Sequence, residues 1–331
     1  MHLHTRMSGF KYSIIITGGT AGMGFAAATQ MAKDCPDHLV VITSRSSNDD
    51  AAGAINKSLN QSNTQFLPID LANPTDVRRF ARDWMADESK PPIKALVFNA
   101  ALQFPNGLTL TPDGMEKTFV IAHAGHALLF HLLFPRLVPR GARVVLTSSG
   151  THDPAQRSGM PEPVYTTAAQ VAYPPPERAA LPGRAHYTTA KLCNVLWAYA
   201  LARHLGDAVP ERSVSVTAMD PGLMPGTGLA RETTRVQRWL WVAVLPRLLW
   251  LLRMVFSPNV HTAEESGRSL ARLAVGADVE GVTGRYFEGR EEIMSSKDSY
   301  SEKLQEDLWD WTVNFVAGGD KAEVERLNAF R

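Results

Sequence analysis

The feature that most constrains this chain is an alternation of short, β-branched apolar runs with longer stretches of helical periodicity. Runs such as IIIT, LVVIT and RVVLT are apolar throughout, not at every second position. That is the pattern of strands buried on both faces of a parallel sheet. It predicts strands at 13–17, 39–43, 65–68, 95–98, 143–147, 214–218 and 285–287. Helices are predicted between them at 23–33, 74–85, 113–134, 187–204 and 262–275. Strand–helix alternation of this kind folds as a doubly wound parallel sheet with right-handed crossovers and helices on both faces. No internal repeat and no interdomain linker interrupts it. The expected architecture is α/β: a single domain over 12–331, preceded by a flexible lead-in at 1–11.

Two segments stand outside the alternation. Residues 150–186 form a long Pro-rich insertion, and a loop of that length in a compact domain is usually functional. Residues 239–256 read WLWVAVLPRLLWLLRMVF, within a segment 229–260 that follows a Gly/Pro-rich turn. Pro246, Arg247 and Arg253 interrupt it, and a membrane-spanning helix needs about 20 mostly apolar residues, so no span is expected. Arg238, Arg247 and Arg253 share no helical face, which weighs against a purely interfacial helix. The expectation is a lid in two short helical pieces around Pro246, lying over a pocket at the carboxyl ends of the strands, with a secondary peripheral membrane contact.

The formal net charge of +1 gives no field to attract nucleic acid. Cys35 and Cys193 are far apart and in no metal-ligand spacing, so neither a metal site nor a disulfide framework is expected. Isolated thiols and an N-terminus without an apolar run predict a cytoplasmic protein.

The chemistry begins at the first strand, which runs into Thr17-Gly18-Gly19-Thr20-Ala21-Gly22-Met23-Gly24 and then a helix. Glycines there let the backbone turn sharply and approach a pyrophosphate seated on the N–H groups of the helix N-terminus. The second strand ends at Ser44-Arg45-Ser46, without the acidic residue that would bind the ribose hydroxyls of NAD. Arg45 suits the 2′-phosphate of NADP(H) instead. Tyr187 and Lys191 lie four residues apart on one predicted helix face, where the ammonium favours the phenolate and makes Tyr187 a proton donor and acceptor near neutral pH.

Together these residues resemble the short-chain dehydrogenase/reductase family over roughly 12–287, most closely its retinol dehydrogenase and protochlorophyllide reductase-like branch. The matching motifs are T-G-x-x-x-G-x-G at 17–24, Y-x-x-x-K at 187–191 and the serine after the fifth strand, Ser149. The resemblance implies a Rossmann-type fold and a cofactor site of Thr17, Gly18, Thr20, Gly22, Met23, Gly24, Arg45, Asp70, Leu71, Asn99, Ala100, Tyr187, Lys191, Pro221, Gly222 and Thr227. It implies that Ser149 binds the substrate oxygen, Tyr187 transfers the proton, and Lys191 holds the nicotinamide ribose and lowers the tyrosine pKa. Family members often pair through the long helices after the fourth and fifth strands, so monomer and homodimer both stand.

The chain departs from the family pattern at two places. Ala122 stands where many members carry an asparagine whose water links the lysine to solvent, and Ala101 replaces a glycine. His123 is a candidate for rebuilding that relay, and His152, Asp153 and Arg157 in the insertion are candidate substrate contacts. The expected function is an NADP(H)-dependent ketoreductase or alcohol dehydrogenase acting on a fairly large apolar substrate. A non-redox cyclase, dehydratase or isomerase is the alternative that Ala122 supports, and a non-catalytic NADP(H) sensor is a third.

Overall fold

The structure, a computed structural model, describes residues 9–47, 49–226, 239, 243–255 and 257–329. Its centre is one eight-stranded sheet in the order β3-β2-β1-β4-β5-β6-β7-β8. The strands are β1 (Tyr12–Thr17), β2 (His38–Ser44), β3 (Thr64–Pro68), β4 (Ile93–Phe98), β5 (Arg143–Thr147), β6 (Ser215–Asp220), β7 (Arg285–Glu288) and β8 (Glu291–Ile293). β1 to β7 pair in parallel, and the strand order reverses direction on either side of β1. The apolar runs are the cause: Ile14, Ile15 and Ile16, with Val40 and Val41 beside them, are buried on both faces.

Helices fill those two faces. On one, Gly22–Asp34 and Ala263–Val275 seal Met23, Ala27, Met31, Leu270 and Leu273 over Ile14, Ile16, Val40 and Ile42. They pack so closely that a Cβ on Gly267 would lie 2.6 Å from that of Ala26. On the other, Pro74–Ala86, Lys117–Arg136, Gly183–Ala208 and Glu302–Ala317 bury Phe80, Leu128, Trp197 and Trp309 against Ile15, Val41, Leu96 and Val144. Lys117–Arg136 is long and apolar enough to cross a membrane, yet 89% of its most apolar window is buried inside the protein.

The structure departs from the sequence expectation at identifiable points. The helix expected from 113 begins at Lys117, because Leu110 and Glu116 pair as a bridge and the Glu116 carboxylate caps the N–H groups of Thr118 and Phe119. The helix expected from 187 begins at Gly183, directly after Pro182, so the insertion ends earlier than 186. Within that insertion lie short helices at Ala168–Ala172 and Pro176–Ala179. β8 pairs antiparallel with β7 after a turn at Gly289 (φ +56°), so the sheet is not wholly parallel. The helices Ala51–Leu59, Glu302–Ala317 and Lys321–Asn328 have no counterpart in the sequence expectation. Glu302–Ala317 lies over Gly183–Ala208, one of the two helices that the sequence reading offers for pairing.

Candidate active site

The carboxyl ends of β1, β4, β5 and β6 open into one cavity of about 950 Å3. Ligands of open α/β sheets bind at this place, beside the point where strand order reverses. Among the residues expected to form the site, Thr17, Gly18, Thr20, Gly22, Met23, Gly24, Arg45, Asp70, Leu71, Asn99, Ala100, Ser149, Tyr187, Lys191, Pro221 and Gly222 all line this cavity. Thr227 lies outside the described residues, as do Arg238 and Trp241.

The turn after β1 is built for close approach. Gly18 and Gly22 have φ of +68° and +55°, a conformation that disfavours any side chain. A Cβ on Gly24 would run into the Gly18 carbonyl oxygen and lie 2.6 Å from Asn99 Nδ2. The helix beginning at Gly22 has no side-chain cap at Ala21 and no acidic residue in its first turn, so its terminal N–H groups face the cavity unneutralised. The Thr17 hydroxyl locks this turn to the next loop by accepting from the N–H groups of Asn99 and Ala100, each at 3.0 Å. It donates its own proton to His126 Nε2 at 2.9 Å, while His126 Nδ1–H donates to the Ala122 carbonyl at 3.0 Å. Burial holds His126 neutral, with its pKa lowered to about 4, which this arrangement requires. These features fit a dinucleotide, with Ser44, Arg45, Ser46, Asp70 and Leu71 around the adenosine end.

At the other end, Ser149 follows β5, and Tyr187 and Lys191 project from the first turns of Gly183–Ala208. Both side chains are buried, 6% and 2% exposed, and the Lys191 ammonium sits 5.5 Å from the centre of the Tyr187 ring. Lys191 Nζ donates to the Thr147 carbonyl at 2.9 Å, beside Asn194 Nδ2 at 3.1 Å from the same oxygen. An ammonium has three protons, so two remain for other acceptors. Burial lowers the Lys191 pKa to about 8 against the opposing effect of Asp220. Burial pushes the Tyr187 phenol well up, Asp220 adds to this, and a hydrogen bond with Ser149 pulls the other way. Where the sequence reading has Lys191 bring Tyr187 down toward neutrality, the buried phenol is instead raised, because desolvation disfavours the phenolate.

Other expectations shift as well. His123 does not line the cavity; it is buried against Trp197 and bonded through Nε2 to Thr312 Oγ1 at 2.8 Å, which removes it as a relay. Ala122 does not line the cavity either, whereas Ala101 does. Of the three candidate contacts in the insertion, Arg157 lines the cavity. His152 is instead buried between the Ser149 carbonyl and the Ser296 N–H, and Asp153 caps the turn Pro154–Gln156. Residues the sequence reading passes over are Asn259 and Asp220, which line the cavity; His126 it notes only as a neighbour of the relay position, without giving it a role. His126 stands one helical turn beyond Ala122, a spacing that points at its carbonyl; Asn259 carries no such signal. Trp239 and Trp250 are 61% and 65% exposed, and among the described residues of 229–260 the cavity is lined by Ser257, Pro258 and Asn259. No group of three metal-ligating side chains occurs among the described residues.

Sheet order, glycine turn and cavity define a Rossmann-type dinucleotide fold. The family model for short chain dehydrogenases matches residues 12–168. A polyprenol dehydrogenase of Mus musculus is 31% identical over 310 residues, which cover 92% of this chain and 84% of that protein. A WW domain-containing oxidoreductase of Danio rerio is 29% identical, covering 92% of this chain and 68% of that one. Among solved structures, a blue fluorescent protein from a metagenomic library in complex with NADPH superposes with a TM-score of 0.59 at 21% identity, covering 85% of this chain and 98% of that one. This chain belongs to the short chain dehydrogenase family of oxidoreductases.

Proposed function

We propose that this chain is an NADP(H)-dependent oxidoreductase acting on a fairly large apolar carbonyl or alcohol. The observation that carries the reading is the convergence of Ser149, Tyr187 and Lys191 on the same cavity as the glycine turn. NADP(H), when bound, supplies or accepts the hydride. Ser149 donates a hydrogen bond to the substrate oxygen, and Tyr187 gives it the proton or takes it away. Lys191 holds the ribose and a positive charge beside the phenol, and the buried setting strengthens each of these contacts. Redox turnover tests the reading: NADPH absorbance is followed with farnesal, long-chain ketones and a quinone as probes. The polyprenol dehydrogenase relatives motivate the isoprenoid probe. Consumption of NADPH with at least one of them is expected, and none with any of them contradicts the reading.

Arg45, between Ser44 and Ser46, supports NADP(H) over NAD(H). Losing one charge-assisted contact to the 2′-phosphate costs about 1.5–3 kcal/mol, roughly 10- to 150-fold in affinity. Arg45→Ala is therefore expected to erase most of the preference for NADPH over NADH in fluorescence titrations. An unchanged ratio removes Arg45 from the site.

The apolar sequence of segment 229–260, whose described residues Ser257, Pro258 and Asn259 line the cavity, supports an apolar substrate and a reading of the segment as a lid. Trp239, Trp250 and Met254 offer exposed apolar area, worth roughly 25 cal/mol per Å2 when a bound substrate covers it. Replacing Trp239 and Trp250 with serine is expected to raise KM for farnesal and leave that for NADPH in place. If kinetics hold and only liposome binding is lost, the segment is a membrane contact. The covering of Gly183–Ala208 by Glu302–Ala317 supports a monomer.

A further inference from the structure

We propose that His152 is a positioning residue for Ser149: it holds the Ser149 carbonyl and so keeps the turn after β5 in the shape that aims the Ser149 hydroxyl proton at the substrate oxygen. The inference rests on the reading of Ser149 as the group that binds that oxygen, and deepens it.

The contacts of the ring fix its role. His152 is fully buried and does not line the cavity, so it acts on substrate through another residue. Its Nδ1 lies 2.7 Å from the Ser149 carbonyl oxygen, and its Nε2 lies 3.1 Å from the Ser296 backbone nitrogen. A carbonyl only accepts and a peptide N–H only donates, so the proton sits on Nδ1 and Nε2 is bare. Both ring nitrogens are used, and one neutral tautomer satisfies them. Burial lowers the pKa of His152, which keeps the ring in that neutral form. The His152 backbone N–H also donates to the Ser149 carbonyl, at 3.1 Å. One residue thus closes the turn twice on the same oxygen.

The closed turn sets what the Ser149 hydroxyl offers. Thr151 donates to Ser149 Oγ from its backbone N–H at 3.3 Å and from its own hydroxyl at 3.1 Å. A serine hydroxyl has two lone pairs and one proton, so both lone pairs are taken and the proton is left to give. A substrate carbonyl oxygen accepts and does not donate, and a donor is what the turn presents to it. Ser149 and Thr151 both line the cavity. The residues just before them are tied to the helix Gly183–Ala208: Ser148 Oγ donates to the Lys191 carbonyl at 2.8 Å, and Lys191 Nζ donates to that of Thr147. His152 extends the tie into the turn. Its partner Ser296 follows Ser295, whose Oγ bonds the Tyr199 hydroxyl of the same helix at 2.6 Å. The Ser299 hydroxyl in turn donates to the Ser296 carbonyl at 2.6 Å. Ser149 and Tyr187 act on one oxygen, and this brace fixes one relative to the other.

Asparagine and glutamine separate the two bonds of the ring. In His152→Asn the amide nitrogen takes the place of Nδ1 and keeps the bond to the Ser149 carbonyl, while the contact to Ser296 is lost. In His152→Gln the amide oxygen takes the place of Nε2, keeps the Ser296 bond and gives up the side-chain bond to Ser149. His152→Leu loses both. Turnover is followed with NADPH and farnesal, or whichever probe proves to be turned over. His152→Leu and His152→Gln are expected to lower kcat by about 10- to 100-fold, as a misplaced group does, with NADPH affinity unchanged. His152→Asn is expected to recover most of that loss. Urea midpoints are expected to rank the other way, because His152→Gln keeps the tie to a loop 144 residues away. A purely structural ring would make activity follow stability. A kcat for His152→Gln that matches or exceeds that of His152→Asn therefore overturns the proposal, and so does a folded His152→Leu with wild-type kcat. The wild-type protein gives a test that needs no variant: 15N spectra of the histidine rings at pH 7.5. The His152 ring, identified by the coupling of its Nε2 across the hydrogen bond to the Ser296 amide, is expected to carry its proton on Nδ1. A proton on Nε2, or no such coupling, overturns the proposal. If Ser149→Ala keeps its kcat, the parent reading fails; if it is inactive while His152→Gln and His152→Leu keep theirs, only this inference fails.

Discussion

Replacing Tyr187 with phenylalanine is expected to lower kcat by at least about 100-fold, the ordinary contribution of a positioned general acid, while NADPH affinity stays nearly unchanged. Only one oxygen is removed. The ring stays buried beside Lys191, and Lys191 keeps its bond to the Thr147 carbonyl. Loss of kcat and kcat/KM together would place the phenol in the transition state. Rapid kinetics with NADPH in excess, alongside a fluorescence titration of the cofactor, distinguish this from a folding or binding defect. Retention of most of the activity would move the proton transfer away from Tyr187. With its pKa raised by burial, Tyr187 holds its proton across neutral pH.

The second large effect is on stability in acid. His123, His126 and His131 lie on one helix, each no more than 3% exposed. Burial lowers their pKa values from 6.5 to about 3, 4 and 3. A histidine kept neutral in the fold but protonated when unfolded adds stability that is whole above pH 6.5 and drains away as pH falls toward the folded value. At pH 5 the loss is about 2 kcal/mol for each, on the order of 6 kcal/mol together, against a total of roughly 5–15 kcal/mol for a typical domain. Urea denaturation at pH 7.5 and pH 5.0 is expected to show the midpoint collapsing at the lower pH. A midpoint that stays put would mean the three rings are not neutral and buried. Protonating His126 would also take away the acceptor that the Thr17 hydroxyl uses, loosening the glycine turn from Asn99 and Ala100.

What the sequence makes legible follows from how local the cause is. Strands such as Arg143–Thr147 are readable because burial on both faces writes a continuous apolar run. The glycine turn is readable because steric exclusion at Gly18, Gly22 and Gly24 leaves few other residues that fit. Glu302–Ala317 carries a helical, mostly apolar stripe through Leu304, Leu308, Thr312 and Val316 that the sequence reading leaves out, but its place is set by a helix about 100 positions earlier, which no local pattern shows. β8 escapes because three residues, two of them glutamates, carry no apolar signal. In the site, Tyr187 and Lys191 share a helix and so a spacing, whereas Asp220 and Asn259, 39 positions apart, meet only through loop closure. The tyrosine pKa is the clearest case: one-dimensional spacing shows the neighbouring lysine, and only the fold shows the burial, with Asp220 adding to it, that raises the phenol.

The central claim is that this cavity carries a hydride between a nicotinamide and a carbonyl carbon, and isotope transfer tests it most directly. Farnesal, or whichever probe proves to be turned over, is incubated with protein and NADPH deuterated at C4 of the nicotinamide, on each face in turn. The account predicts an alcohol product carrying one deuterium from one of the two labelled faces and not from the other. A product that forms without deuterium from either face, or without consumption of NADPH, would contradict it and leave the fold serving a non-redox reaction.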